Sequence, residues 1–333
     1  MNFKTAATLA TQGVALSLAI SLSAASASAE TIRYAHVGAE GDLQTRYASE
    51  AAEAIAEASN GELEIQVYPA SQLGGVAEMV DGVRMGSIGM GHHDFASLAR
   101  IVPEAAVFNA PYIYRDAAHA LAATDPETPA VKEINERLIE DGGVRIVGRI
   151  YRGARHVSSN FEVKSPADLK DKPFRAVPLD LWISMVKGFG ANPTPVAVSE
   201  LPTALMTGLV VGQENPLTMI AANKLDEVQS HVALTGHMHS VLAVFINEDV
   251  WQGLSDDQRS AITEVLDDKA DESLEWAQSS EDALVEELRG RGMTVITADD
   301  GLDLDAFREQ VSAQISADFP SFDSYVEQIA KVD

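Results

Sequence analysis

The sequence predicts an α/β protein built as two lobes, and three observations predict it. Short β-type runs alternate with helix-type runs along the chain. One amphipathic helix near the C-terminus is longer than a small domain is wide. No Gly/Ser/Pro-rich linker, internal repeat or low-complexity tract separates the halves, so the lobes are expected to be joined by strands that cross between them.

Residues 1–29 read as an export signal and are set aside before fold reasoning. Lys4 supplies the positive start, Leu9 to Leu22 a mostly apolar stretch, and Ala27-Ser28-Ala29 a small-residue cleavage site. The mature chain is therefore expected to begin near Glu30 and to reside in the periplasm. No later segment has the roughly 18 consecutive apolar residues of a membrane span, so no direct membrane insertion of the mature chain is expected. The sequence contains no cysteine, which leaves buried area as the source of stability. Roughly 300 residues supply enough of it, usually as two domains. A net charge of -26, from 24 Lys+Arg against 50 Asp+Glu, argues against nucleic acid or an anionic membrane surface as partner.

Taken in order, Thr31 to Val37 reads as the first strand, and Asp42 to Asn60 carries apolar and small positions at helical spacing before the stop at Gly61. Leu63, Ile65 and Val67 alternate as a second strand. After Gly74-Gly75 a helix is expected from Val76 to Met85, followed by the strand-like Ser87-Ile88-Gly89-Met90. Further strands are expected at Arg145 to Tyr151, Phe174 to Val177 and Val241 to Ile246, with largely parallel pairing. Ser255-Asp256-Asp257-Gln258 has the form of a capping box, and neither Gly nor Pro follows until Gly290. Ile262, Leu266, Ala270, Leu274, Ala277, Leu284 and Leu288 fall on one face. A helix of that length spans about 50 Å, enough to cross both lobes. The alternative is a helical hairpin broken near Ser279-Ser280.

Motifs for catalysis are missing. There is no phosphate-cradling P-loop, no H-E-x-x-H and no G-x-S-x-G, and Gly89-Met90-Gly91 lacks the later glycine of a dinucleotide loop. His92 and His93 are adjacent, so in extended backbone they point to opposite faces, and sharing a metal would need a special turn. His237 and His239 share a face if extended, with His231 nearby, but no acidic partner stands at ligand spacing, and neither metal nor cofactor is expected. The arginines say more, being few in an acidic chain. Arg149, Arg152 and Arg155 cluster at the end of an expected strand, and Arg175 lies inside Phe174-Arg175-Ala176-Val177-Pro178. An arginine embedded in a strand is costly unless it is paired or faces a cleft. Its guanidinium can clamp a carboxylate through two parallel hydrogen bonds. An internal ion pair is the competing explanation.

Several segments, in order, resemble the extracytoplasmic solute receptors of tripartite ATP-independent periplasmic (TRAP) transporters. They are Tyr68-Pro69-Ala70-Ser71-Gln72-Leu73-Gly74, Asn109-Ala110-Pro111-Tyr112-Ile113-Tyr114, Gly153-Ala154-Arg155 to Asn160, and Ser165-Pro166-Ala167-Asp168-Leu169-Lys170 leading to Phe174-Arg175-Ala176-Val177-Pro178. The last runs from Glu200-Leu201-Pro202-Thr203-Ala204-Leu205 to Gly212-Gln213-Glu214-Asn215-Pro216. The resemblance implies a periplasmic-binding-protein-like clamshell with hinge strands and a long C-terminal helix spanning both lobes. Lobe I would comprise residues 30–152 plus 241–280, and lobe II residues 153–240 plus 281–333.

It further implies that Arg175 pairs with a ligand carboxylate, that Asn215 adds a hydrogen bond, and that Arg155 approaches the same anion. Val211 departs from the family, which commonly has Asp there; it reads as a buried strand position, with an altered hinge or packing contact expected. Glu40, His92, His93, Asp94 and Trp182 are candidates for the rest of the ligand, and their polarity suggests a hydroxylated one. The implied ligand is a small organic anion: a sugar acid, hydroxy acid or C4-dicarboxylate, with a small sulfonate or a zwitterion as alternatives. The implied partners are the membrane subunits of a TRAP transporter. An exported hydrolase or lyase using His93 and Asp94 as an acid/base pair is the competing class, and a sensory module presenting its ligand to a membrane receptor is a third.

Overall fold

The computed structural model describes residues 30–333; the expected export signal lies outside the described residues. The strands are β1 (Glu30–Ala35), β2 (Leu63–Tyr68), β3 (Met90–Asp94), β4 (Val144–Ser159), β5 (Pro173–Ala176), β6 (Asn192–Pro195), β7 (Gly212–Pro216), β8 (His231–Asn247) and β9 (Thr294–Ile296). Among the described residues they form one sheet in the order β2-β1-β3-β8-β4-β7-β5-β6, with β9 beside β8. At its two ends the pairing is parallel, as expected: β1 with β2 and β3, and β5 with β6 and β7. Its centre is not. There β3, β8, β4 and β7 run antiparallel to one another, because β4 and β8 are long strands that pass through both lobes in opposite directions.

Those two strands answer the missing linker. The expected strands at Arg145–Tyr151 and Val241–Ile246 are only the first-lobe halves of elements of 16 and 17 residues. Their ladder is broken at the crossing. Arg155 faces Met238 and Val157 faces Ala233, so Leu234 to His237 stand opposite His156 alone. Extra residues on one strand bend it and interrupt pairing. Gly153 and Gly236, at φ of 101° and 53°, take the left-handed backbone that the bend requires.

Asp42 caps the helix Leu43–Ala58 through its side chain, and Tyr47, Ala48, Ala51 and Ile55 form the buried stripe. The segment Ser87 to Gly89 is not a strand; β3 begins at Met90, and Gly89 reaches β1 only through its amide on the Arg33 carbonyl. Val211 also differs from expectation. It is half-buried and precedes β7, its amide donating to the Pro173 carbonyl at 2.9 Å.

The long helix runs unbroken from Asp256 to Gly290, so the hairpin alternative does not hold. Ser255 and Gln258 form the expected reciprocal cap, with Gln258 N donating to Ser255 Oγ and Ser255 N to Gln258 Oε1. Ile262, Leu266, Ala270 and Ala277 enter the large core that runs through both lobes, while Leu288 joins a smaller core with Leu201, Val210 and Ile220 in the second. Leu274 and Leu284 are only half-buried, whereas Ser273, absent from the expected stripe, is buried and accepts a hydrogen bond from Tyr151 N at 2.9 Å. Against β4 the helix comes so close that a Cβ on Gly148 would lie 3.0 Å from Leu266 Cβ.

The tail does not stay with the second lobe. The helix Leu304–Asp318 packs on Asp180–Gly188, but the terminal helix Asp323–Ile329 returns to the first lobe. Tyr325 donates to Glu133 at 2.6 Å, His119 Nε2 lies 3.0 Å from the Ile329 carbonyl, and Arg115 donates to the Ala330 and Val332 carbonyls.

Leu266 is fully buried between β4 and the first-lobe helix. Leu266→Ala is expected to destabilise the protein by about 2–5 kcal/mol, read as a lower urea midpoint with an unchanged slope.

Candidate ligand-binding site

Where β4 crosses from one lobe to the other, its arginines divide. Arg149 is turned toward the long helix and pairs at 2.8 Å with both Asp125 and Asp267, a structural role. Arg152 and Arg155 line a cavity of about 470 Å³ between the lobes, together with Arg175 from β5 and Asn215 from β7. All three cavity arginines are buried.

Two of them are neutralised by the protein itself. Arg155 makes a bidentate pair with Glu214, Nε to Oε2 at 2.5 Å and Nη2 to Oε1 at 2.7 Å. The remaining capacity of Glu214 is taken by Trp182 Nε1 at 2.9 Å and His237 Nε2 at 3.1 Å. Burial alone would raise the Glu214 pKa, but the Arg155 charge and hydrogen bonds outweigh it and hold the carboxyl down at about 2. Arg152 donates to Ser240 Oγ at 2.9 Å and stands 3.4 Å from Asp94 Oδ1.

Arg175 differs. It is 2% exposed, its Nε donates to the Val196 carbonyl at 3.0 Å, and among the described residues it makes no ion pair. Burial draws its pKa down to about 10, which leaves it charged at neutral pH. Asn215 sits beside it on the cavity wall, its Oδ1 accepting from Arg155 Nη2 at 3.1 Å and its Nδ2 donating to Gln213. The carbonyl and amide of Asn215 are thereby held in one orientation.

The other candidates separate. His93 and Asp94 lie on the cavity wall. His92, on the opposite face of β3, turns into the first lobe instead, where its Nδ1 bonds Tyr34 at 2.7 Å and its ring stacks on His36 at 4.7 Å. Trp182 is buried behind the wall, holding Glu214 and lying under the Arg155 guanidinium at 5.3 Å. Glu40 is exposed on the turn before Leu43 and is not part of the lining. His237 is committed to Glu214, and His239 pairs with the Tyr151 hydroxyl at 2.8 Å. Among the described residues no group of three or more His, Asp or Glu has the geometry to hold a metal.

The acid/base pairing of His93 with Asp94 lacks its hydrogen bond. Nδ1 and Oδ2 are 3.6 Å apart, and Asp94 is turned toward Arg152 and Ser240. Burial lowers the His93 pKa to about 4 despite the opposing pull of Asp94, with the three cavity arginines adding to the fall, so the imidazole is neutral. Sequence reasoning did not assign Glu214. The signal was available: a carboxylate in a strand with the same burial problem as Arg175 needs a cation beside it.

A cleft at the crossing of two α/β lobes, floored by a buried arginine that the protein itself does not neutralise, defines a two-lobed receptor for a small anion. Residues 34–319 match the family described as bacterial extracellular solute-binding protein, family 7, and the chain belongs to that family. The 2,3-diketo-L-gulonate-binding periplasmic protein of Escherichia coli is 30% identical over 297 residues, 88% of each chain. Two TRAP periplasmic solute-binding proteins of Roseobacter denitrificans have similar solved structures. One, with bound L-galactonate, is 26% identical at a TM-score of 0.83, covering 90% of this chain and 98% of its own. The other, with bound 3-deoxy-D-manno-oct-2-ulosonic acid, is 29% identical at a TM-score of 0.84, covering 92% and 100%. Among the described residues no helix is long and apolar enough to cross a membrane.

Two predictions follow from the charges. Glu214→Gln leaves Arg155 buried beside a neutral amide and is expected to cost about 3–5 kcal/mol, measured by thermal or urea denaturation. Acid sensitivity has a defined window. His36 and His93 are each held down to about 4 by burial, from an ordinary 6.5, so the unfolded chain takes up those protons first. Their contribution to stability is complete above 6.5 and is lost as the pH falls toward 4; that of Glu214 is lost lower, between 4.5 and about 2. The melting temperature is therefore expected to drop on acidification from about pH 7 to about pH 5, and less steeply in His93→Asn.

Proposed function

We propose that this protein is a periplasmic receptor that binds a small organic monocarboxylate and delivers it to the membrane subunits of a TRAP transporter, without chemically altering it. The observation that carries this reading is the isolation of Arg175. Arg152 and Arg155 already face Asp94 and Glu214, so the cavity floor offers one unneutralised positive charge, suited to one carboxylate. Arg175 supplies the two-pronged clamp and Asn215 a further hydrogen bond. Closing the lobes over such a pair removes it from water, where each contact is strengthened.

Three further points support the reading. The family consists of extracellular solute-binding proteins, and its name fits an exported chain. The ligands named for the relatives above, 2,3-diketo-L-gulonate, L-galactonate and 3-deoxy-D-manno-oct-2-ulosonic acid, each carry a single carboxylate. A second carboxylate, as in a C4-dicarboxylate, would meet Asp94 without a free cation to offset it.

Calorimetric titration of residues 30–333 tests this. Monocarboxylates are expected to bind more tightly than succinate or its relatives. Arg175→Ala is expected to lose roughly 100-fold or more in affinity with the melting temperature of the free protein retained, and Arg175→Lys to recover only part of it. Affinity unchanged in Arg175→Ala would sink the assignment, and product formation from the bound acid would replace a receptor with an enzyme.

A further inference from the structure

The walls above the arginine floor restrict which acid this site can take, given the anion-receptor reading on which the inference rests. The cavity is layered. At the bottom lie the buried polar groups Arg175, Asn215, His93 and Asp94. At the mouth the polar side chains Glu78, Arg100, Asp180 and Ser199 are exposed, and Arg100 is already engaged by Asp81 at 3.2 Å. Between floor and rim the wall is largely apolar on both sides, Ser71 being its one half-buried hydroxyl. Ala96, Ala99 and Ala106 come from the turns after β3, and Val177, Val198 and Phe319 face them from the second lobe.

Hydrogen-bonding capacity in the buried part of this wall is confined to the floor. Apart from Asn215, no Ser, Thr, Asn, Gln or Tyr is found among its fully buried lining residues. Besides the Arg175 guanidinium, the buried lining offers the ring of His93, whose Nδ1 makes no hydrogen bond and lies 3.6 Å from Asp94 Oδ2. His93, from β3 of the first lobe, lines the same cavity as Arg175, from β5 of the second, so its ring is available to an oxygen next to a carboxylate held on Arg175. A chain with a hydroxyl on every carbon would bring its outer hydroxyls against alanine and valine. Each hydroxyl buried without a partner costs about tenfold in affinity, whereas each methylene buried there gains about fourfold.

We infer that the ligand is an amphipathic monocarboxylate, a 2-hydroxy or 2-oxo acid with a branched aliphatic body of a few carbons. The carboxylate lies on Arg175 and Asn215, the adjacent oxygen meets His93, and the aliphatic body fills the space bounded by the three alanines, Val177 and Val198. The small alanines make room for branching, and Phe319 covers the outer end.

The test uses residues 30–333 refolded from denaturant to remove any carried-over ligand, titrated calorimetrically with three probes. They are 2-hydroxy-4-methylpentanoate, 4-methyl-2-oxopentanoate and D-gluconate, the last sharing the carboxylate and 2-hydroxyl of the first. At least one branched acid is expected to bind about tenfold or more tighter than gluconate. Val198→Thr, a half-buried wall position where a hydroxyl is tolerated by the fold, is expected to reduce that preference by about threefold or more. Gluconate binding as tightly as both branched acids, or tighter, overturns the apolar-body inference and leaves the receptor reading intact. Failure of all three acids to bind overturns the monocarboxylate reading together with it. Should Val198→Thr not fold, the ranking of the three probes on the unsubstituted protein decides alone.

Discussion

The site is organised by the buried pair between Arg155 and Glu214. It joins β4, which crosses between the lobes, to β7, which belongs to the second lobe alone. Around it the sequence supplies further hydrogen bonds: Trp182 and His237 on the carboxylate, Asn215 on the guanidinium. A charge pair this deep is tolerable only when so completed, because neither member has water to fall back on. Its completion has a consequence for the neighbour. With Arg155 and Arg152 both countered, Arg175 stands alone as the source of net charge on the cavity floor.

The location of that floor follows from the strands. β4 and β8 carry the chain from one lobe to the other, and their ladder is interrupted where the cavity begins. Bulged, incompletely paired strands bend more easily than regular ones. The long helix lies across the same junction and is pinned to it through Ser273 on the Tyr151 amide. Its two ends enter different cores, so one continuous helix ties the lobes together across the interrupted ladder. A two-lobed binding protein depends on that combination, since ligand binding shifts the population toward the closed arrangement only if the hinge is soft and the lobes are not.

Local patterns were legible wherever one segment decided its own structure. The cap at Ser255, the stripe along residues 256–290 and the alternation in β2 all involve residues a turn or a strand apart. Less legible was anything settled between segments. Ser87–Gly89 has strand-like composition, yet β1 and β8 bond the residues that follow it. Polarity in a loop near the expected site did not place Glu40, His92 or Trp182 on the cavity, because one sits on an exposed turn, one faces the first-lobe core, and one supports the wall from behind.

By itself the sequence determined the α/β class, the absence of a linker, the long helix and Arg175 as a residue to examine, since periodicity, capping and the cost of an arginine in a strand are local properties, whereas Asn215 came only from the resemblance to TRAP solute receptors. Tertiary structure decided the antiparallel centre of the sheet, the return of the terminal helix to the first lobe, and above all which arginine remained unpaired. Charge neutralisation is a matter of a few ångströms between residues such as Arg155 and Glu214, 59 positions apart, and only the folded chain sets that distance.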